Sequence, residues 1–267
     1  MDRAFCKAIK FYTIFLSLIC FIITGCTHRE YIAPTILPKA EAAIRLIQKN
    51  NGGITSIRAK GKLTIIDNNK TEIYRAIWIA RLPNLLRLDL LSPWGQPFGA
   101  FAMDEKNISF FLYQRNQLYA GKATPENLAR IIHISFMPAD ILKLLRGSVP
   151  ISSYKGAQLE KSSDNTQTIL TLFKSNGDIL ERIWYHENPL RIKRADYYDG
   201  QDSLTQCIAF DNFSEDTEFT IPYSIHIKGA SDTQWDLIVR ECQVNPLIPM
   251  TSFTITETDE TEVIELD

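Results

Sequence analysis

The 267-residue chain is long enough for one domain of β-barrel or sandwich size. Its formal net charge is −2, and without the first 25 residues it keeps 26 basic and 30 acidic residues, a balance of −4. That mild acidity argues against a nucleic-acid partner, whose phosphates call for clustered Lys and Arg.

Residues 1–25 read as a removable signal. Arg3, Lys7 and Lys10 form a positive n-region, and Phe11 to Ile23 is an uncharged apolar run. The run is shorter than the roughly 20 helical residues needed to span a bilayer. It ends in Ile23-Thr24-Gly25-Cys26, which resembles the bacterial lipobox. The resemblance implies cleavage before Cys26 and acylation of that cysteine. Each buried methylene adds about 0.8 kcal/mol, so several chains anchor stably where one would not. Thr27 instead of an aspartate follows Cys26, which in the same logic implies export to the outer membrane. Residues 26–35 form the lipidated tether.

Residues 36–50 show helical spacing, with Ala40, Ala43, Ile44 and Ile47 on one face and Asn51-Gly52-Gly53 as the stop. Strands follow. Ile57, Ala59, Gly61, Leu63 and Ile65 alternate with polar residues. In the next strand Tyr74, Ala76, Trp78 and Ala80 should face inward, opposite Arg75 and Arg81. Leu85 to Met103 makes the central hairpin. Leu86, Leu88 and Leu90 share a face, Pro93 and Gly95 suit a type I turn, and Trp94 stands at its tip. An indole there is either a membrane or partner contact or is tucked against a neighbouring loop.

The β rhythm breaks between Thr124 and Arg146. Thr124 is a fitting N-cap with Pro125 at the first helical position, and Pro138 opens a second helix carrying Ile141, Leu142, Leu144 and Leu145. Both are short and apolar on one side, as a lid or plug would be. Strands resume over 168–173 and continue to 242 with short, antiparallel connections. The segment 257–267 is acidic and reads as a solvated tail, with Val263-Ile264 able to add an edge strand. The result is one domain over 36–256, mainly β with a few helices. It is a strongly curved, incomplete antiparallel β-barrel of about eleven strands, a length at which sheets curl. An N-terminal helix and an inserted two-helix lid complete it. Its concave side could pack solid or keep a greasy cavity, and spacing alone leaves both open.

No catalytic or metal-binding motif appears. Of the four histidines, His28 lies in the tether, and His133, His186 and His226 are scattered with no acid or thiol at ligand spacing; no Gly-x-Ser-x-Gly, His-Glu-x-x-His or phosphate loop is present. The expectation is a non-enzyme with no cofactor and no metal. Cys207 and Cys242 lie in separate strand-like runs and could pair or stay free.

Two stretches carry a family resemblance: Leu90-Leu91-Ser92-Pro93-Trp94-Gly95-Gln96 and the Pro-start run from Pro138 to Arg146-Gly147. With the lipobox, N-terminal helix and β-meander, they resemble the LolB family of outer-membrane lipoprotein receptors, which shares its fold with the periplasmic carrier LolA. Such membership implies a monomer that takes acyl chains of lipoproteins from a LolA-like periplasmic carrier and inserts them in the outer membrane. The acyl-chain cavity would be lined by Trp78, Leu86, Leu88, Leu90, Ile141 and Leu145. Trp94 stands where the family carries a protruding, membrane-inserting leucine, and tryptophan prefers the headgroup boundary. The alternative is a membrane-anchored lipid-binding or envelope scaffold protein of the same fold that transfers nothing.

Overall fold

A computed structural model describes residues 35–266, except 69, 135, 202, 216–217 and 230–232. The signal, Cys26 and all but the last residue of the tether lie outside the described residues. The stretch from Ala33 onward forms a compact unit of its own, with one continuous hydrophobic core.

Helix α1 (Pro38–Lys49) buries the face expected of it, Ala40, Ala43, Ile44 and Ile47. The turn after it is a clamp. Asn51 Nδ2 donates to the carbonyls of Arg146 (2.6 Å) and Thr220 (2.8 Å), and Asn50 Nδ2 donates to Gly147 O at 3.0 Å. These bonds hold the start of the domain to the end of the lid.

The chain then builds six strands in sequence: β1 (Ser56–Asp67), β2 (Lys70–Arg81), β3 (Leu85–Leu91), β4 (Pro97–Met103), β5 (Asn107–Leu112) and β6 (Gln117–Lys122). Helices α2 (Pro125–Ile132) and α3 (Pro138–Leu145) follow. Thr124 caps α2 by accepting the Asn127 N–H at 3.2 Å. A second meander comprises β7 (Gly156–Lys161), β8 (Thr168–Phe173), β9 (Ile179–Glu187), β10 (Leu190–Tyr198), β11 (Leu204–Phe213), β12 (Pro222–Lys228) and β13 (Gln234–Val244). Strand β13 returns to pair antiparallel with β1, so both meanders share one sheet.

With β14 (Glu262–Leu266) the sheet has 14 strands, running from β14 and β6 at one edge to β8 and β7 at the other. It is large, open and curled. The expected number, about eleven, is too low. The sequence of strand β7, Gly-Ala-Gln-Leu-Glu-Lys, has little apolar alternation and so carries no strand signal of its own. In the acidic tail the edge strand expected at Val263-Ile264 forms, as Glu262–Leu266, so this part is not a solvated tail: it joins the sheet as a parallel neighbour of β6, and Asn116 receives it by accepting the Glu262 N–H at 3.0 Å. That pairing is the exception to an otherwise antiparallel ladder among the described strands.

Parity holds where the sequence was clearest. Tyr74, Ala76, Trp78 and Ala80 are buried while Arg75, Ile77 and Arg81 are exposed. Cys207 on β11 and Cys242 on β13 are free thiols with β12 between them, and burial pushes both up to about 11.

One inward residue breaks the apolar pattern. Glu181 on β9 is fully buried. It accepts the Ser152 N–H at 3.2 Å, from the segment leaving α3, while its Oε1 has no partner. Burial, aided by the nearby charge of Asp140, raises its pKa from the usual 4.5 to about 8. The folded chain therefore holds a proton that the unfolded chain releases at lower pH, and stability falls as pH rises from about 4.5 to about 8. Glu181→Gln is expected to flatten that slope. Unfolding free energies of residues 33–267 in urea should differ little from wild type near pH 4 and favour the variant increasingly up to about pH 8, by on the order of 1 kcal/mol per pH unit.

Candidate functional site

The inward row of β3 should be its most buried, and Leu86 and Leu90 are 3% and 5% exposed. Leu88 between them is only half-buried. So are Phe110 on β5, Ile141 and Leu145 on α3, and Trp235 on β13, all packed on the core. Inward side chains that keep exposed surface in the middle of a sheet border a void.

The void has two lobes. The larger, about 370 Å³, lies between β1–β5, Trp235 and the lid residues Ile131, Ile132 and Ile141. The smaller, about 90 Å³, runs under α3 between Trp78, Leu144, Leu145 and the β12–β13 residues Ile225, Ile227 and Leu237. Leu86, Leu88, Ile132, Ile141 and Trp235 wall both. The smaller lobe is apolar throughout. Polar groups enter only the larger, as Asp67, Lys70, Glu72 and His133, which gather at the β1–β2 tip and the end of α2. The larger lobe falls within the usual range for small-ligand cavities, roughly 300–1,000 Å³.

The indole N–H groups of two wall residues, Trp78 and Trp235, are buried away from the void and have no hydrogen-bond partner. An unpaired buried donor costs about 1–3 kcal/mol. The lid is pinned at the rim: Asp67 Oδ2 lies 3.1 Å from His133 Nδ1, the residue that caps α2, while Asp67 Oδ1 accepts the Thr233 hydroxyl at 2.8 Å. The Thr233 hydroxyl and then His133 hold the Asp67 carboxyl below its usual range.

Trp94 sits at this same end of the sheet. Leu91 pairs with Arg75 and Pro97, and the next inward pair, Tyr74 and Phe98, stacks with ring centroids 4.5 Å apart as part of the larger lobe. The turn beyond is tight. Gly95 N–H donates to Ser92 O (2.9 Å), Ser92 N–H donates to Gln96 O (2.8 Å), and Gly95 adopts φ 92°, a conformation natural to glycine. With the backbone so fixed, Trp94 is 87% exposed.

All six residues named from sequence for the cavity wall meet these lobes: Leu86, Leu88, Leu90 and Ile141 the larger, Trp78 and Leu145 the smaller. Cys26 is outside the described residues. Sequence reasoning did not name Phe98, Phe101, Phe110 or Trp235. Register would have found Phe101, which pairs with Leu88 and Phe110. Trp235 joins the smaller lobe beside its β12 partner Ile227 and reaches the larger through the long-range pairing with Ile65. Among the described residues no cluster of three or more His, Cys, Asp or Glu could hold a metal ion, and no helix is long and apolar enough to cross a membrane.

No family model matches the chain, and no curated protein matches it by sequence. Solved structures do resemble it. A DUF1329 family protein from Desulfovibrio piger superposes with a TM-score of 0.60 at 11% identity, covering 83% of this chain and 98% of that one. A putative outer membrane lipoprotein-sorting protein domain from Vibrio parahaemolyticus gives 0.57 at 11% identity, covering 80% and 95%. A LolA superfamily protein from Nitrosomonas europaea gives 0.53 at 15%, covering 80% and 97%. At such identities the likeness is one of fold, and the fold is LolA-like.

Leu88 gives the sharpest test of the void. Leu88→Glu places a carboxylate where two apolar lobes meet, at a site already facing empty space. The fold should survive, judged by unchanged far-UV circular dichroism. Affinity for a fluorescent fatty acid should fall at least about tenfold, since an unpaired charge is strongly disfavoured beside an apolar chain.

Proposed function

We propose that this protein receives the acyl chains of lipoproteins in the cavity beneath α2 and α3 and delivers them to the outer membrane, as a LolB-like receptor. The observation that carries this reading is the largely apolar 370 Å³ void, with its polar rim at the end of the sheet that holds Trp94 aloft. In this account residues 1–25 are removed, lipid on Cys26 anchors the chain to the periplasmic face of the outer membrane, and residues 26–35 are the tether. A LolA-like periplasmic carrier supplies the cargo.

No covalent step is needed. Each methylene leaving water gains about 0.8 kcal/mol, so an acyl chain moves along a gradient of apolar contact. Transfer without an energy source requires tighter binding than the carrier offers and weaker binding than the membrane offers. The rim contact between Asp67 and His133 is the one to release as α2 moves aside. Trp94 then meets the bilayer at headgroup depth, the level that indoles prefer.

Depletion in cells tests the whole reading. Other lipoproteins should accumulate in the inner membrane or periplasm, whereas normal sorting would leave a lipid-binding protein that hands nothing on. Trp94→Glu separates reception from delivery. It should bind a fluorescent acyl chain as wild type does, yet release it to vesicles about tenfold more slowly, because the charged tip disfavours the interface.

A further inference from the structure

The outer face of β1 and β2 carries a pattern that the cavity does not use. Arg58, Lys60 and Lys62 alternate outward on β1, and Ile73, Arg75, Ile77 and Arg81 are exposed on β2. Register sets Arg58 beside Ile79, Lys60 beside Ile77, and Lys62 directly opposite Arg75. Like charges facing each other across neighbouring strands are destabilising, and neither residue forms an ion pair among the described residues; the diagonal neighbours Asp236 and Asp89 are held by His226 and by Arg87. Of the other cations, Lys60 pairs with Glu241 at 2.8 Å. Arg58 and Arg81 reach only neutral groups, the Leu247 carbonyl and the Met250 sulfur. On neighbouring β3, Asp89 is taken up by Arg87. A chain of net charge −2 thus has a face with four cations free of carboxylate partners, interleaved with isoleucines.

This face runs into the Trp94 hairpin. The Arg75 guanidinium lies against the turn, with Nη1 3.9 Å from where a side chain on Gly95 would begin. Cations, exposed aliphatic side chains (Ile73 47%, Ile77 42% exposed) and an exposed indole are therefore contiguous.

We infer that the outer face of β1–β2, together with Trp94, docks flat on an anionic phospholipid surface. Lys and Arg meet lipid phosphates, the isoleucines and the indole enter the headgroup layer, and the mutual repulsion of Lys62 and Arg75 is relieved by a shared anion. A bilayer fits better than an acidic protein because isoleucines and indole need an apolar layer among the anions. The inference goes beyond cargo handling, since this face would orient the domain whether or not its cavity passes anything on.

Residues 33–267 are tested by co-sedimentation with phosphatidylcholine vesicles, with and without phosphatidylglycerol. Binding should require phosphatidylglycerol and weaken as ionic strength rises from about 0.01 to about 0.15 M. Lys62→Glu gives an outcome that misfolding cannot imitate. It creates a cross-strand ion pair with Arg75, so thermal stability should rise while vesicle affinity falls about tenfold or more. Arg58→Glu with Arg81→Glu should weaken binding similarly. All three changes should leave fluorescent fatty-acid binding at the wild-type value, which separates this inference from the cavity reading. Equal binding to both vesicles, unchanged binding by Lys62→Glu, or a face that captures an acidic protein while vesicles stay free would overturn it.

Discussion

The pairing of β1 with β13 is the constraint from which the rest follows. It joins two meanders that would otherwise be separate sheets, along a register from Ile57↔Val244 to Ile66↔Gln234. The register slips between Lys60 and Gly61, and here the strands come unusually close. A β-carbon on Gly61 would lie 2.1 Å from the Ile238 carbonyl oxygen, so only glycine fits. Bulges bend strands and increase their twist. At the centre of a 14-stranded sheet, such a bend gives curvature to both halves, and curvature produces a concave side to be covered.

What covers it is small. Helices α2 and α3 have eight residues each, and α1 is placed against β7 and β8 at the far end. A filled core needs side chains from both layers to interdigitate at near-crystalline density. Two short helices cannot supply them across β1–β5 and β12–β13, so the aromatic and leucine side chains of the sheet face empty space. The cavity follows from this mismatch between sheet area and lid area. It also explains why the rim is polar: Asp67 and His133 meet where lid and sheet edge must be held together without closing the void.

Much of this was legible in the chain because it is local. Alternation on β2 placed Trp78 inward, the Ser-Pro-Trp-Gly turn put residue 94 at a hairpin tip while leaving an exposed and a tucked indole both open, and Thr124-Pro125 located the start of α2. The unread parts depend on distance. Trp235 enters the larger lobe because β13 closes on β1, and no window around residue 235 carries that information. Strand β14 is legible at Val263-Ile264 only as an option, and its partners, Asn116 and the free edge of β6, are distant in sequence. Glu181 resembles any strand glutamate until Ser152 and the lid linker cover it. The lipidation signal was legible as a motif, yet it concerns Cys26, outside the described residues.

The basic outer face shows why register adds meaning that composition hides. A net charge of −2 argues against an anionic partner for the chain as a whole, and taken alone it would discourage a search for one. Electrostatic attraction to a surface falls off within about a Debye length, roughly 8 Å at physiological salt, so the charge of the facing strands matters more than the total. Because the side-chain period of a strand is two, the residues that place Ala59, Leu63, Tyr74 and Trp78 in the core also place Arg58, Lys62, Ile73 and Arg75 outside. Inner and outer faces are thus specified by the same alternation. A slip of one residue in β1 or β2 would lose the cavity wall and the basic face together.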